Sequence, residues 1–395
     1  MNGTTAVDLT ALGARFADAV RGDAAAWDAR GELPAEVRRE AAREGLLDAD
    51  LPPRHGGLGA TPAQLGEVCA RLGGVCGSLR GLVTVQGMVG AALLRWGTAG
   101  QRERWLPALA RGEVLAAFAA TETEAGSDLA AVTTEVEPHG DAYTVTGGKR
   151  WITFGEIADV YLVLGRTGGA DGTDGRPVVA LVEADRPGVR CEPVRGQLGL
   201  RAAQVAHVRF DGVRVPSENL VAPPGFGLSH VVGTALDHGR FTVAWGCVGM
   251  AEACLGAAAE HAVRRTQGGV ALAGHQQVRA LLGRAAVDGR AARELCLRAA
   301  RMRAAVDPDA VVETVAAKYA AARAATSVAG SAVQVMGAAG CAPDSLVGRC
   351  YRDAKVMEII EGSAQVSELH IADHLLRAHG HGPARWRPER EGEPR

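Results

Sequence analysis

The strongest constraint on this chain is a change of hydrophobic period that happens twice. Over residues 9 to about 118, apolar side chains recur at helical spacing, as in Leu65, Val68, Cys69 and Leu72, then Val83, Met88, Ala92 and Leu93. From about Ala119 the pattern shortens to that of strands, in residues 143–153, 160–164, 178–182 and 205–210, with Gly/Asp-rich turns at 168–175 and at Asp211-Gly212. Short strands at this spacing predict an antiparallel barrel or sandwich of roughly 100 residues. Long Ala-rich amphipathic runs return after Leu228, most clearly over residues 294–305 and 311–335, with a restart at Asp307-Pro308. A chain of 395 residues exceeds one core, and this order predicts an α+β architecture of packed lobes. The expected units are a helical domain over 1–118, a β domain over 119–226, a helical bundle over 227–378 and a disordered tail over 379–395.

Local signals agree with this division. Thr61-Pro62-Ala63-Gln64 reads as a helix start, with a Thr N-cap, Pro in the first turn and Gln placed for a capping box. Trp96-Gly97 reads as a helix end. Gly147-Gly148 predicts a hairpin turn, and Pro223-Pro224-Gly225 closes the β region.

Composition excludes several functions. With 43 Lys+Arg against 45 Asp+Glu, the net charge of −2 gives no basic excess for tracking phosphates, so no nucleic-acid partner is expected. Only Lys149, Lys318 and Lys355 are lysines, a bias that reads as genomic base composition. The eight cysteines include no C-x-x-C pair, which fits buried thiols in a reducing compartment and no metal site. Residues 1–8 lack a charged and then apolar leader, and the apolar stretches 231–236 and 243–250 are too short to span a bilayer. A soluble cytoplasmic protein without a membrane partner is expected.

One stretch points to chemistry. Ile359-Ile360-Glu361-Gly362-Ser363 places a carboxylate in an apolar frame near the end of a helical region. Burial raises a carboxyl pKa toward the range where it exchanges protons near neutrality. The competing reading is a solvated glutamate at a helix end that Gly362 terminates. Asp237, His238 and Arg240 form a polar group before the apolar run 243–250, read either as part of a site or as helix N-terminal charge chemistry. His207 and His275 read as hydrogen-bonded structural histidines. Gly225-Phe226-Gly227 lacks the third glycine of a dinucleotide fingerprint.

Six stretches in one order, Thr121 to Asp128, Lys149 to Thr153, Arg265 to Gly269, Gln334 to Gly337, Arg352-Asp353-Ala354 and Glu361-Gly362-Ser363, resemble the acyl-CoA dehydrogenase family across residues 33–376. The resemblance implies that family's fold: an N-terminal helical domain, a middle antiparallel β-barrel and a C-terminal four-helix bundle. It also implies FAD and desaturation of an acyl thioester, with a proton leaving Cα and a hydride passing from Cβ to flavin N5. Such a reaction needs a desolvated base against Cα and donors on the thioester oxygen. Glu361 stands at the family's base position, and Gly362 and Arg240 match substrate-side positions near it. Phe118, Thr121, Gly126, Ser127, Trp151, Thr153, Ser363 and Gln365 match FAD contacts. Arg265 and Gln334 match contacts to the adenine half of a neighbouring subunit's FAD, which implies a homodimer or homotetramer.

The chain departs from the family at Gly268, where an aromatic is usual, and at Ala338, where a glycine is usual. Both changes bear on the adenosine end of the cofactor. A narrower resemblance joins Ser78-Leu79-Arg80, residues 85–88, residues 243–249 and residues 351–363 to a small branch from polyketide clusters. Members of that branch oxidise a glyceryl-derived group on an acyl carrier protein toward hydroxymalonyl and methoxymalonyl extender units. Ile360 stands where fatty-acid members usually carry tyrosine. The expected partners are an acyl-carrier-protein or CoA thioester and an electron acceptor whose identity the sequence leaves open. Three other readings stay open: a short- or branched-chain acyl-CoA dehydrogenase of primary catabolism, an oxygen-reactive flavoenzyme of the same fold, and a flavin-less scaffold.

Overall fold

Six helices precede the first strand in the computed structural model, which describes residues 8–168 and 175–380. They are α1 (Leu9–Val20), α2 (Ala24–Arg30), α3 (Ala35–Arg43), α4 (Pro62–Gly73), α5 (Gly77–Trp96) and α6 (Ala99–Ala110). The capping box read at Thr61 is formed: Thr61 N donates to Gln64 Oε1 at 2.9 Å and Gln64 N donates to Thr61 Oγ1 at 3.3 Å. Gly97 ends α5 as expected. The described residues stop at 380, so the end of the expected tail lies outside them, as does most of the turn at 168–175.

The strands are β1 (Ala116–Ala119), β2 (Glu135–His139), β3 (Ala142–Ile152), β4 (Val160–Arg166), β5 (Pro177–Glu183), β6 (Val189–Pro193) and β7 (Ala206–Pro216). They form one curled sheet in the order β1-β4-β2-β3-β7-β6, with β5 on the other side of β4. The sheet is mixed: β1 and β2 run parallel to β4, and the remaining pairs are antiparallel. Strand alternation puts Leu162 and Leu164 into the cluster shared with α5 and α6, and Tyr161 and Val163 into the cluster against Phe210 and Val213.

The hairpin turn expected at Gly147-Gly148 is not there. Both glycines lie inside β3 at an irregularity in its pairing with β7. A Cβ at Gly147 would fall 2.8 Å from Thr134 Cα, so glycine serves a close approach of strands and not a reversal. The chain turns instead at Gly140, which has φ +64.

The C-terminal half comprises α7 (Gly233–Arg264), the two-residue strands β8 (Thr266–Gln267) and β9 (Val270–Ala271), α8 (Gln276–Ala304), α9 (Ala310–Met336), α10 (Leu346–Met357) and α11 (Ala364–Ala378). A π-helical turn, Gly227–Val232, leads into α7. Helix α8 is longer than the run read from the sequence, because Gly283 and Gly289 are carried inside it. One core joins α4 and α5 to α7 through Val68, Leu72, Leu82, Trp245 and Val248, and continues into α9 through Ala321 and Val328. Close approach is built in: a Cβ at Gly249 would lie 1.8 Å from Ala70 O, and one at Gly73 2.4 Å from Gly246 O.

Helix α5 and the helical segment 227–264 are long and apolar enough to cross a membrane, contrary to the shorter apolar stretches read from the sequence. Both are mostly buried inside the fold, where they form its central packing layer. All eight cysteines are free; six are buried, and Cys191 and Cys341 are exposed.

Candidate active site

Glu361 lies in the turn between α10 and α11 with φ +57, a left-handed conformation that costs a non-glycine residue roughly 1–2 kcal/mol. Gly362 follows at φ +90, and Ser363 caps α11 by accepting a bond from Val366 N at 3.3 Å. Two cations, the half-buried Arg240 and the buried Lys318, hold the turn by its backbone. Arg240 Nε donates to Glu361 O at 2.9 Å, and Lys318 Nζ donates to Gly362 O at 2.6 Å.

Ile359 is 60% exposed, and Ile360 packs from the side onto the main core. The apolar frame expected from residues 359–360 is thus only half formed, since Ile359 faces solvent and Ile360 alone packs on the core. Glu361 Oε2 is buried against α7 and α5: a Cβ at Gly239 would lie 2.5 Å from that oxygen and 2.9 Å from Met88 Sδ. Oε2 has no hydrogen-bond partner among the described residues. Burial pushes the carboxyl up to about 7, against the opposing pull of Arg240, Lys318, Arg80 and His238.

Asp237, His238 and Arg240 do not precede the helix; they lie within α7, and each has its own partner. Asp237 pairs with Arg303 at 2.6 Å. His238 Nε2 meets Asp50 Oδ2 at 3.2 Å, and Arg240 reaches the Glu361 turn. The reading of these residues as helix N-terminal charge chemistry is thus replaced by tertiary contacts. Sequence reasoning also missed Lys318, Met88, Gly239, Asp48 and Asp50. Lys318 carried a signal, since a lysine in the middle of the Ala-rich α9 has to find a buried acceptor.

The residues expected beside a flavin ring gather at the ends of β1 and β3. Thr121 O accepts from Arg150 N at 2.9 Å, which ties the loop after β1 to the strand that carries Trp151. Trp151 has φ +58 and is 59% exposed; its backbone N–H donates to His207 Nδ1 at 3.2 Å. Phe118, Thr121 and Thr153 are half-buried nearby, while Gly126 and Ser127 are exposed on the loop. That loop is anchored by Glu122, which accepts from the backbone and side chains of Thr133 and Thr134 and pairs with the buried Lys149 at 2.6 Å. Burial would raise the Glu122 carboxyl, but Lys149 and the threonine donors outweigh it and hold it at about 2. His207 fills the structural role expected of it, whereas His275 Nε2 has no partner among the described residues.

Helix α5 connects the two regions. Gln86 donates to Leu109 O and Val114 O and accepts from Ala116 N at 2.6 Å, which fixes β1, while Met88, two residues on, approaches Gly239 from the same side as Glu361 Oε2. Arg265 and Gln334 are not part of this assembly. Arg265 ends α7 and Gln334 lies near the end of α9, about 24 Å along that helix from Lys318 at 1.5 Å per residue. Both are exposed, and Arg265 lines a surface depression with Ala257, Glu260, His261, Arg264 and Met336. Gln365 is exposed on the first turn of α11.

A helical lobe, a curled mixed sheet and a helical bundle around a loop-borne glutamate with one buried oxygen define a family. Its N-terminal, middle and C-terminal domain models match residues 9–113, 117–213 and 226–376, and the chain belongs to the acyl-CoA dehydrogenase family. It is 33% identical over 287 residues to the mitochondrial short-chain specific acyl-CoA dehydrogenase of Mus musculus, covering 73% of this chain and 69% of that protein. Among solved structures it is similar to FkbI, described as acting in biosynthesis of the methoxymalonyl extender unit of the polyketide Fk520. That match has 40% identity and a TM-score of 0.85, and covers 92% of this chain and 99% of the other. A glutaryl-CoA dehydrogenase from Mycobacterium smegmatis, solved in complex with FADH2, matches at 25% identity and a TM-score of 0.88, covering 96% and 95%.

Proposed function

We propose that this chain is an FAD-dependent acyl thioester dehydrogenase whose substrate is a short hydroxyacyl group carried on an acyl carrier protein. The observation that carries the reading is Glu361 itself, a carboxyl with a buried, unpartnered oxygen in a strained turn that Arg240 and Lys318 tie down. Strain of this kind persists where the surroundings over-determine it, as at active sites. The similarity to FkbI supports the polyketide extender-unit setting, and the carrier-protein tether rests on the resemblance of residues 78–80, 85–88, 243–249 and 351–363 to the extender-unit branch.

The residues fit FAD. The largely exposed Trp151 offers an indole face, Thr121 and Thr153 offer hydroxyls beside it, and a Cβ at Gly126 would meet nothing within 4 Å, leaving its backbone open to a close-lying phosphate. Phe118, Ser127, Ser363 and Gln365 would complete the contacts. Arg265 and Gln334 are exposed at the ends of α7 and α9, and the family resemblance would have them reach a neighbouring subunit's cofactor in a homodimer or homotetramer. FAD, when bound, supplies the acceptor for the two electrons leaving Cβ.

This chain's own residues then do the proton chemistry. The Glu361 carboxylate takes the α-proton of the thioester. Its position depends on Arg240 and Lys318, which fix the turn, and on Gly239, which leaves room for the oxygen. Backbone N–H groups of the turn are suited to hold the thioester oxygen.

The test begins with the absorbance of the purified protein, which should show flavin bands. Anaerobic mixing with 2,3-dihydroxypropanoyl thioesters on a carrier protein and on CoA should bleach the visible band, faster with the carrier protein. A colourless protein sinks the FAD reading. Bleaching by CoA thioesters alone favours the catabolic reading, and no bleaching by either removes the dehydrogenase assignment.

A further inference from the structure

Three glycines on α5 and α7 make notches for three ionisable groups. A Cβ at Gly239 would lie 2.5 Å from Glu361 Oε2, one at Gly87 would lie 2.2 Å from His238 Cε1, and one at Gly90 would lie 2.2 Å from Asp48 Oδ1. Gly87 and Gly90 are one turn apart on the same face of α5, and His238 adjoins Gly239 on α7. The groups therefore line one seam between the two helices, beginning at the candidate base and running toward the segment after α3.

The seam is polar and unsatisfied. Asp48 is 2% exposed and neither carboxyl oxygen has a hydrogen-bond partner among the described residues. His238 is 3% exposed; its Nε2 is used by Asp50, but its Nδ1 has no partner. Each orphaned buried atom costs roughly 1–3 kcal/mol. Asp48 adds backbone strain at φ +52. Burial, reinforced by the neighbouring Asp50 charge, pushes the Asp48 carboxyl up to about 7, so near neutrality it can donate as well as accept a hydrogen bond. Among the described residues no group of His, Cys, Asp or Glu converges as metal ligands would. An alkyl chain placed here would leave every one of these atoms unpaired.

We propose that this seam is the acyl-recognition subsite and that Asp48 and His238 Nδ1 hydrogen-bond the hydroxyl groups of a short, hydroxylated acyl chain, with Asp50 orienting the imidazole. The inference rests on the proposed dehydrogenase function and adds the residues that select its substrate. A site built to bond a substrate hydroxyl discriminates strongly against the analogue that lacks it, because the buried partners are then left unpaired. Asp48 and His238 are binding residues in this account, and Glu361 remains the base.

Binding separates this inference from the reaction. Flavin-loaded Glu361→Gln protein, which should not turn over, is titrated calorimetrically with the pantetheine thioesters of 2,3-dihydroxypropanoate and of propanoate. The hydroxylated compound should bind at least about 100-fold more tightly. Adding Asp48→Leu should cut that preference by at least tenfold. Asp48→Asn keeps shape and tolerates the left-handed backbone, so it should fold and retain part of the preference. A preference below threefold, a preference that survives Asp48→Leu, or no measurable binding of either compound overturns the subsite. If Asp48→Leu does not fold, His238→Gln is read in the same way. Failure of the wild-type protein to bleach its flavin with either thioester would count against the dehydrogenase reading, while the binding ratio still decides the subsite.

Discussion

Replacing Glu361 with glutamine should stabilise the protein, and the gain should depend on pH in a defined way. The carboxyl moves from an ordinary value of 4.5 to about 7 in the folded chain, chiefly through burial. Below pH 4.5 it is protonated in both folded and unfolded states, so wild type and Glu361→Gln should be equally stable. Between 4.5 and about 7 the unfolded chain releases the proton while the folded chain keeps it, so wild-type stability falls as pH rises. Above about 7 both states are ionised and the difference levels off. The full shift corresponds to ~3 kcal/mol in favour of the variant. For a chain of 395 residues the entropy of unfolding converts this to about 4 °C in Tm. Scanning calorimetry of both flavin-loaded proteins from pH 4.5 to 8.5 measures the difference, and other titrations common to the two cancel. The same variant should lose thioester oxidation, and wild-type kcat/KM should rise to half its maximum near pH 7. A Tm difference that is flat with pH, or that favours wild type at pH 8, would refute the desolvation of this carboxyl.

Two other substitutions probe the supports. Gly239→Ala should push Glu361 Oε2 and Met88 Sδ aside, since its Cβ would lie 2.5 and 2.9 Å from them; kcat should drop about 100-fold, read with flavin content as a control. Lys149→Met should leave the buried Glu122 carboxylate without its cation, costing roughly 3–5 kcal/mol in denaturant unfolding and loosening the loop over residues 121–128, which flavin release would register.

Much of the fold was legible because periodicity reports burial directly. The shift of hydrophobic period near residue 119 marks the sheet except for β1, which ends there and lies in the stretch read as helical, and its return after Leu228 marks the bundle. The capping box at Thr61 and the stop at Gly97 were readable for the same reason, since a cap depends only on neighbours in sequence. Gly147-Gly148 was misread because glycine has two meanings, reversal and close approach, and only the position of Thr134 distinguishes them. The Glu361 environment is only partly a matter of its neighbours: Ile359 is exposed, and helices far off in sequence bury Glu361 Oε2.

The sequence by itself thus determined the order of layers, the family resemblance and the identity of the suspect carboxylate, all of which are local pattern or motif. Tertiary structure decided what surrounds that carboxylate. Arg240, Lys318 and Gly239 come from α7 and α9, and Asp48 and Asp50 come from the segment after α3, separated from Glu361 by more than half the chain. A pKa near 7 and a polar seam of unpartnered groups depend on distance and solvent exclusion, and neither is a property of adjacent residues.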